Sequence, residues 1–355
     1  MLRLCSALAQ AGVDVELLVL LWNDGPTIRR RLEEVKRFGV RVVIVRRTKL
    51  PVFDSRVGRA LVCWGRLTQA LGARRDRIVH VHLDLVAVVL AARLAGCTWL
   101  VASIHNDEPL YRRWRWRMWS RVIDRWIAGY IGITKHVMQY YMEAAGIDRR
   151  KMVVIYYGVD PPSGGRSARR EWGIPEQDFV VGFVGRITEQ KNLGVLLEAL
   201  KQVPEVTGIL VGEGEDRDAL EEKARREGIG NLRFMGAIVE ASTIMPSFDV
   251  FCLPSKWEGL GLVLVEAMLQ GIPIIGSKAG AIPEVLGNGD YGILFDPAST
   301  EELVDCLRYA IRHPAEMRSL AEKAREYALR KYSVSRMVVQ TIEFYRAVLG
   351  TKSGR

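Results

Sequence analysis

The sequence predicts an α/β protein built from two doubly wound parallel-sheet domains, and three observations carry that prediction. A chain of 355 residues exceeds what one hydrophobic core usually serves. Short β-branched runs alternate with longer amphipathic segments, the pattern of parallel strands joined by helical crossovers. The stretch from Asp160 to Ser167 holds two prolines and two glycines, continues neither element, and divides the alternation into two series.

In the first series, strands are predicted at 13–21, 40–45, 78–82, 99–104, 130–134 and 152–156, with helices at 28–38, 57–71 and 114–127 between them. In the second series, strands are predicted at 179–184, 207–211, 250–253 and 273–276. The expected domains are 1–158 and 159–334. The opening is unusual for this fold class. Residues 1–11 read as a helix leading into a strand, whereas a doubly wound domain normally begins with a strand and a glycine-rich turn. Those pieces are missing.

Composition narrows the function classes. Apolar residues make up 49% and charged residues 26%, ordinary for a globular protein. The longest uncharged apolar stretch, 85–92, is too short to cross a bilayer. Arg3, Asp14 and Glu16 interrupt any leader-like pattern at the start. Five scattered cysteines fit free thiols in a reducing cytosol, so a cytoplasmic location is expected. The net charge of +10 is polarised: residues 1–160 carry 27 Lys and Arg against 14 Asp and Glu, a net +13. Such a field attracts acidic partners, whether an anionic lipid surface, a phosphorylated substrate or nucleic acid.

The strongest chemical constellation runs from Pro254 to Met268. A strand ends, a glycine-bearing loop follows, and a helix begins near Gly261. Ligands of open parallel sheets bind at such strand ends. The free amides of Gly261, Leu262 and Val263 at a helix start suit a phosphate. Glu258 and Glu266 lie eight residues apart, a rise of about 12 Å if helical, enough to serve two ends of a nucleoside diphosphate sugar. Two solvated glutamates flanking a surface helix are the competing reading. Arg186 and Lys191, in the loop after strand 179–184, supply cations at the mouth of the same sheet. A guanidinium fork and an ammonium point charge both suit diphosphate oxygens.

Gly185-Arg-Ile-Thr-Glu-Gln-Lys-Asn192, Val211-Gly-Glu-Gly, Glu258 with Glu266, Gly271-Ile-Pro and Gly280-Ala-Ile-Pro-Glu284 together resemble the successive signatures of family-4 retaining glycosyltransferases. The resemblance spans nearly the whole chain and is most specific from Gly182 to Pro297. It implies the GT-B fold, two domains facing across a cleft, with a last helix at 335–349 returning to the first domain so that 335–355 belong with it. It implies that Gly185, Arg186 and Lys191 bind the donor diphosphate, that Glu258 holds the donor sugar and Glu266 the ribose, and that the Leu262 and Val263 amides meet the distal phosphate. The nucleobase is expected near Gly236-Ala-Ile238.

In the first half, His105 in Ser103-Ile-His-Asn-Asp resembles the family's strand-end histidine facing the transferred sugar. His105, Glu258, Arg186 and Lys191 are therefore the candidate catalytic residues. His80 and His82 read as structural. Thr134 occupies the family's interdomain serine position, and Tyr157-Gly-Val-Asp160 places tyrosine where the family has asparagine.

The implied reaction moves a hexose from a nucleoside diphosphate sugar to a hydroxyl acceptor, lipid-linked or an envelope saccharide, with configuration retained. No cofactor and no metal is expected. Asp216-Arg-Asp218 has the letters of a metal motif but falls at a predicted helix start, where acidic residues are favourable. Val211-Gly-Glu-Gly lacks the further glycine of a dinucleotide fingerprint. The segment 111–126 holds six arginines and four tryptophans, which reads either as a crossover helix packed on the sheet or as a contact for an anionic membrane surface; nucleic acid is the weaker option. Two rival readings stand beside the transferase: an epimerase or phosphorylase of the same fold, and a donor-binding protein left inactive by the missing first strand.

Overall fold

The computed structural model describes residues 1–21, 26–46, 65–72, 77–82, 85–107, 114–162 and 164–350. Chain contacts divide it into two units. One comprises residues 1–133, 137–158 and 334–355; the other comprises 134–136 and 159–333.

The second unit holds six parallel strands: β7 (Phe179–Val184), β8 (Val206–Val211), β9 (Leu232–Gly236), β10 (Val250–Leu253), β11 (Ile274–Ser277) and β12 (Ile293–Phe295). Their spatial order is β12-β11-β10-β7-β8-β9. Numbered within the unit this is the 3-2-1-4-5-6 order of a doubly wound sheet read from its other edge. The central strands read as near-continuous apolar runs because both faces are covered: Val180, Val181, Phe183, Phe251, Cys252 and Leu253 are all fully buried. The crossover helix Leu193–Gln202 packs against Thr300–Arg312, and Leu262–Leu269 packs against Pro314–Lys331. Sequence periodicity missed two strands, β9 and β12. The first is an edge strand carrying the exposed Arg233, and the second is three residues long.

The first unit holds a parallel pair, β1 (Glu16–Leu21) and β2 (Arg41–Arg46), and a parallel four-stranded sheet. The latter runs β3 (Ile78–Val81), β4 (Trp99–Ile104), β5 (Ile127–Gly132) and β6 (Met152–Val154) in that order. Helix Leu2–Gln10 opens the chain and packs against the last helix, Val334–Gly350. Leu4, Ala7 and Leu8 of the first meet Met337, Val338 and Val348 of the last over Val101 and Ile131.

Two predicted boundaries move. The helix expected over 114–127 ends at Asp124, because Trp126 N–H bonds back to the Ile123 carbonyl at 2.9 Å and Ile127 already begins β5. The strand expected at 130–134 accordingly runs from Ile127 to Gly132. Of the helix expected at 57–71, the part before residue 65 lies outside the described residues, and 65–72 is helical.

Candidate active site

In the second unit the strand order reverses between β7 and β10. From β7 the chain proceeds to β8 and β9 on one side, and then to β10, β11 and β12 on the other. Loops leaving the carboxyl ends of two such strands diverge and leave a crevice. Arg186 and Lys191 follow β7, and Glu258 follows β10, so these three sequence-predicted residues flank that point.

Backbone contacts fix the loop after β7. Gly185 N–H donates to the Val211 carbonyl at 3.0 Å, Ile187 N–H to Glu213 at 2.9 Å, and Asp216 N–H to Ile187 at 3.1 Å. Gly212 is required here: its φ is +147°, and a Cβ would lie 1.8 Å from the Gly185 carbonyl oxygen. The Val211-Gly-Glu-Gly signature is thus a strap holding Arg186 in place. Arg186 itself is exposed, and among the described residues it has no carboxylate partner. That leaves a guanidinium open to an anion.

Lys191 is different. It ends the short turn Glu189–Lys191, and its Nζ lies 2.6 Å from Oε2 of Glu258, with side-chain exposures of 11% and 13%. Ser255 Oγ donates to the same oxygen at 3.3 Å. Asn192 sits in the left-handed region at φ 53° and donates to the carbonyls of Pro254 (3.2 Å) and Pro297 (2.9 Å). Lys256 N–H reaches the Gln190 carbonyl at 2.8 Å, and Gln190 Nε2 reaches the Trp257 carbonyl at 3.0 Å. The two loops are zipped together, and the Lys191–Glu258 pair closes the zip. Gly280, at φ +56°, presses on the Glu258 backbone so closely that a Cβ would lie 2.4 Å from its nitrogen; Ala281 N–H donates to the Glu258 carbonyl at 2.8 Å.

Gly261 caps helix Leu262–Leu269. Leu262 is exposed and Val263 half-buried, so the helix start reaches the surface. Glu266, half-buried, lies in the second turn. Residues 258–261 are not helical, so the 12 Å helical rise expected between the two glutamates does not apply; the turn through Gly261 intervenes. Ile238 follows β9 and is half-buried. From β9 to β10 is three strand spacings, about 14 Å, and Ile238, Arg186, Lys191 and Glu258 follow strands within that span. Thr134, grouped with this unit, donates through Oγ1 to the Gly259 carbonyl at 2.9 Å. Asp216 caps helix Arg217–Arg226 and Asp218 lies in its first turn; among the described residues no cluster of three or more His, Cys, Asp or Glu is placed to hold a metal.

His105, in the first unit, follows β4 and lies within a network of rings. Its Nε2 lies 3.2 Å from His82 Nδ1, and Tyr157 OH lies 3.1 Å from its Nδ1, with the two rings stacked at 5.5 Å. His80 bonds Tyr345 OH and Ser103 Oγ, both at 2.7 Å. Burial pushes His105 down to about 4, and burial with the neighbouring His105 pushes His80 down to about 3; His82 is also held well below the ordinary range by burial and its two neighbours. All three imidazoles are neutral at pH 7. Sequence reasoning missed Tyr157's place over His105 and the roles of Asn192 and Gln190. Asn192 had a visible signal, since asparagine is the residue most tolerant of the left-handed region after glycine.

Comparison with known proteins gives the family and the fold. The family described as Glycosyl transferases group 1 matches residues 166–327, and Glycosyltransferase Family 4 matches residues 1–162. The chain belongs to the family-4 GT-B glycosyltransferases. It is 27% identical, over 98% of both chains, to a 2-deoxystreptamine glucosyltransferase of Streptomyces kanamyceticus. It is 35% identical over 237 residues to a phosphatidyl-myo-inositol mannosyltransferase of Mycobacterium tuberculosis, matching 63% of this chain and 61% of that protein. In fold it is similar to Anabaena Alr3699/HepE, solved with UDP and glucose, at a TM-score of 0.81, 24% identity, and coverage of 98% and 96%. This glycosyltransferase uses a nucleotide sugar.

Proposed function

We propose that this glycosyltransferase moves a hexose from a nucleoside diphosphate sugar to an acceptor hydroxyl with retention of configuration and without a divalent metal. The observation that carries the reading is the reversal point of the second sheet, where an exposed Arg186 and a buried Lys191–Glu258 pair stand at the ends of adjacent strands. Arg186 and Lys191 offset the charge that grows on the departing diphosphate, and because their loops are already strapped in place little reorganisation accompanies the reaction. Glu258 accepts hydrogen bonds from the transferred sugar, and Glu266 from the ribose. The neutral His105, aimed by Tyr157, hydrogen-bonds the transferred sugar.

A lipid-linked or envelope saccharide at an anionic membrane surface is the proposed acceptor. Helix Trp114–Asp124 leaves Trp114 72%, Met118 49% and Trp119 43% exposed, and Leu94 on the adjoining helix is 66% exposed. Its core contacts are Ser120 and Ile123 instead. Exposed indoles interleaved with arginine suit a lipid headgroup layer. The test is a panel of nucleotide sugars with lipid-linked and free saccharide acceptors, read by released diphosphate and by NMR of the new anomeric centre. Acceptor-dependent release in the presence of chelator, with configuration kept, supports the proposal. Inversion, or an absolute need for magnesium or manganese, contradicts it.

A further inference from the structure

The carboxylate of Glu258 is held from one side only. Lys191 Nζ, from the turn after β7, and Ser255 Oγ, from the loop after β10, both donate to the same oxygen, Oε2, at 2.6 Å and 3.3 Å. Among the described residues Oε1 accepts no hydrogen bond, and it is not buried. One oxygen is thus spent on the protein and the other faces outward.

Lys191 alone does not account for that division. An ammonium is a point charge that attracts a carboxylate over a wide range of angles. The last torsion of a glutamate is broad and sets no sharp preference of its own. A carboxylate held by one cation is therefore free to swing about its Cγ–Cδ bond. A second donor on the same oxygen, reaching it from a different loop, narrows the swing. Ser255 is built for this. It is fully buried, and its carbonyl accepts from Ser277 Oγ at 2.6 Å, an equally buried hydroxyl at the end of β11. Shut off from solvent, the Ser255 hydroxyl has Glu258 as its one side-chain partner among the described residues.

We propose that Ser255 is a positioning residue: with Lys191 it turns one oxygen of Glu258 inward and fixes the other as the acceptor for a hydroxyl of the donor sugar. The inference rests on the assignment of Glu258 to the transferred sugar. At 3.3 Å the serine contact is longer than a strong hydroxyl–carboxylate bond of about 2.6 Å. Ser255 therefore contributes direction, and Lys191 most of the attraction. The consequence for recognition is that the outward oxygen only accepts, so the sugar hydroxyl that meets it must donate. Glutamine at this position reverses the polarity. Both protein donors require the amide oxygen inward, which leaves the amide N–H groups facing the sugar.

The experiment is titration calorimetry with UDP-glucose, GDP-mannose and ADP-glucose, and then with analogues of the one bound best that carry fluorine in place of one sugar hydroxyl at a time. Fluorine cannot donate, so at one position the wild type should lose at least about tenfold in affinity. Ser255→Ala should bind the unmodified sugar nucleotide about tenfold more weakly and the free nucleoside diphosphate as the wild type does, with a fluorine penalty of no more than about threefold. Glu258→Gln should show no fluorine penalty at that position. These penalties without turnover of any acceptor would sink the transferase reading and still support the role of Ser255. A fluorine penalty in Ser255→Ala equal to that of the wild type overturns the proposal. Equal weakening toward sugar nucleotide and nucleoside diphosphate also overturns it, since that is what a merely structural serine gives. A wild type indifferent to fluorine at every position, or binding none of the three, overturns it as well. If Ser255→Ala does not fold, Ser255→Cys, which keeps a weak donor, takes its place: an intermediate penalty supports the proposal and a wild-type penalty overturns it.

Discussion

Arg186 and Lys191 are both cations at one strand end, yet the structure gives them opposite energetic roles. Arg186 is exposed and makes no ion pair among the described residues, so Arg186→Ala should change unfolding stability by no more than about 0.5 kcal/mol while abolishing most turnover. Chemical denaturation beside an activity assay checks this. Lys191 neutralises a buried carboxylate. Lys191→Met leaves Glu258 uncompensated and should cost about 3 kcal/mol; adding Glu258→Leu should recover most of that loss without recovering activity. A double variant as unstable as the single one would contradict the pairing. The sequence showed both residues as separate candidates, because motif spacing reveals which loop each occupies. It did not show that they touch, since that contact joins residues 67 apart and depends on β7 and β10 being neighbours.

At the scale of elements, the ring network joins β3, β4, Tyr157 and the last helix. His80 and His105 are depressed from 6.5 to about 3 and about 4, and His82 is depressed as well. The unfolded chain therefore binds protons that the folded one refuses. Stability is full above pH 6.5 and falls as pH drops toward 4, with a slope approaching about 1.4 kcal/mol per pH unit for each histidine. Denaturant titrations at pH 7 and pH 5 should show the loss, and a His80→Gln variant should show a shallower slope; a pH-independent midpoint over that range would refute the coupling. Most strands were legible because doubly buried β-branched runs are distinctive, as in β7 and β10. β9 and β12 were not, being a mixed-polarity edge strand and a three-residue strand. The Trp114–Asp124 helix was legible as an element but not in its orientation, because tryptophans at helical spacing look the same whether they face the sheet or solvent.

At the scale of the molecule, charge and exposed rings on the first unit predict where the enzyme works, and the second unit predicts what it binds. Trp119→Ser with Arg117→Gln should weaken sedimentation with anionic vesicles at low salt. Salt should weaken the wild type in the same way, since attraction of roughly 1 kcal/mol per basic residue fades within a Debye length. Wild type remaining in the supernatant would return 114–124 to being an ordinary crossover helix. The central claim is that the donor site lies at the β7–β10 reversal of the second unit, and titration calorimetry with a nucleoside diphosphate tests it most directly. Arg186→Ala and Glu266→Ala should each weaken binding at least tenfold, about 1.4 kcal/mol, while His105→Ala, which the proposal assigns to the transferred sugar alone, should leave it unchanged. Wild-type affinity in both folded second-unit variants would contradict the account.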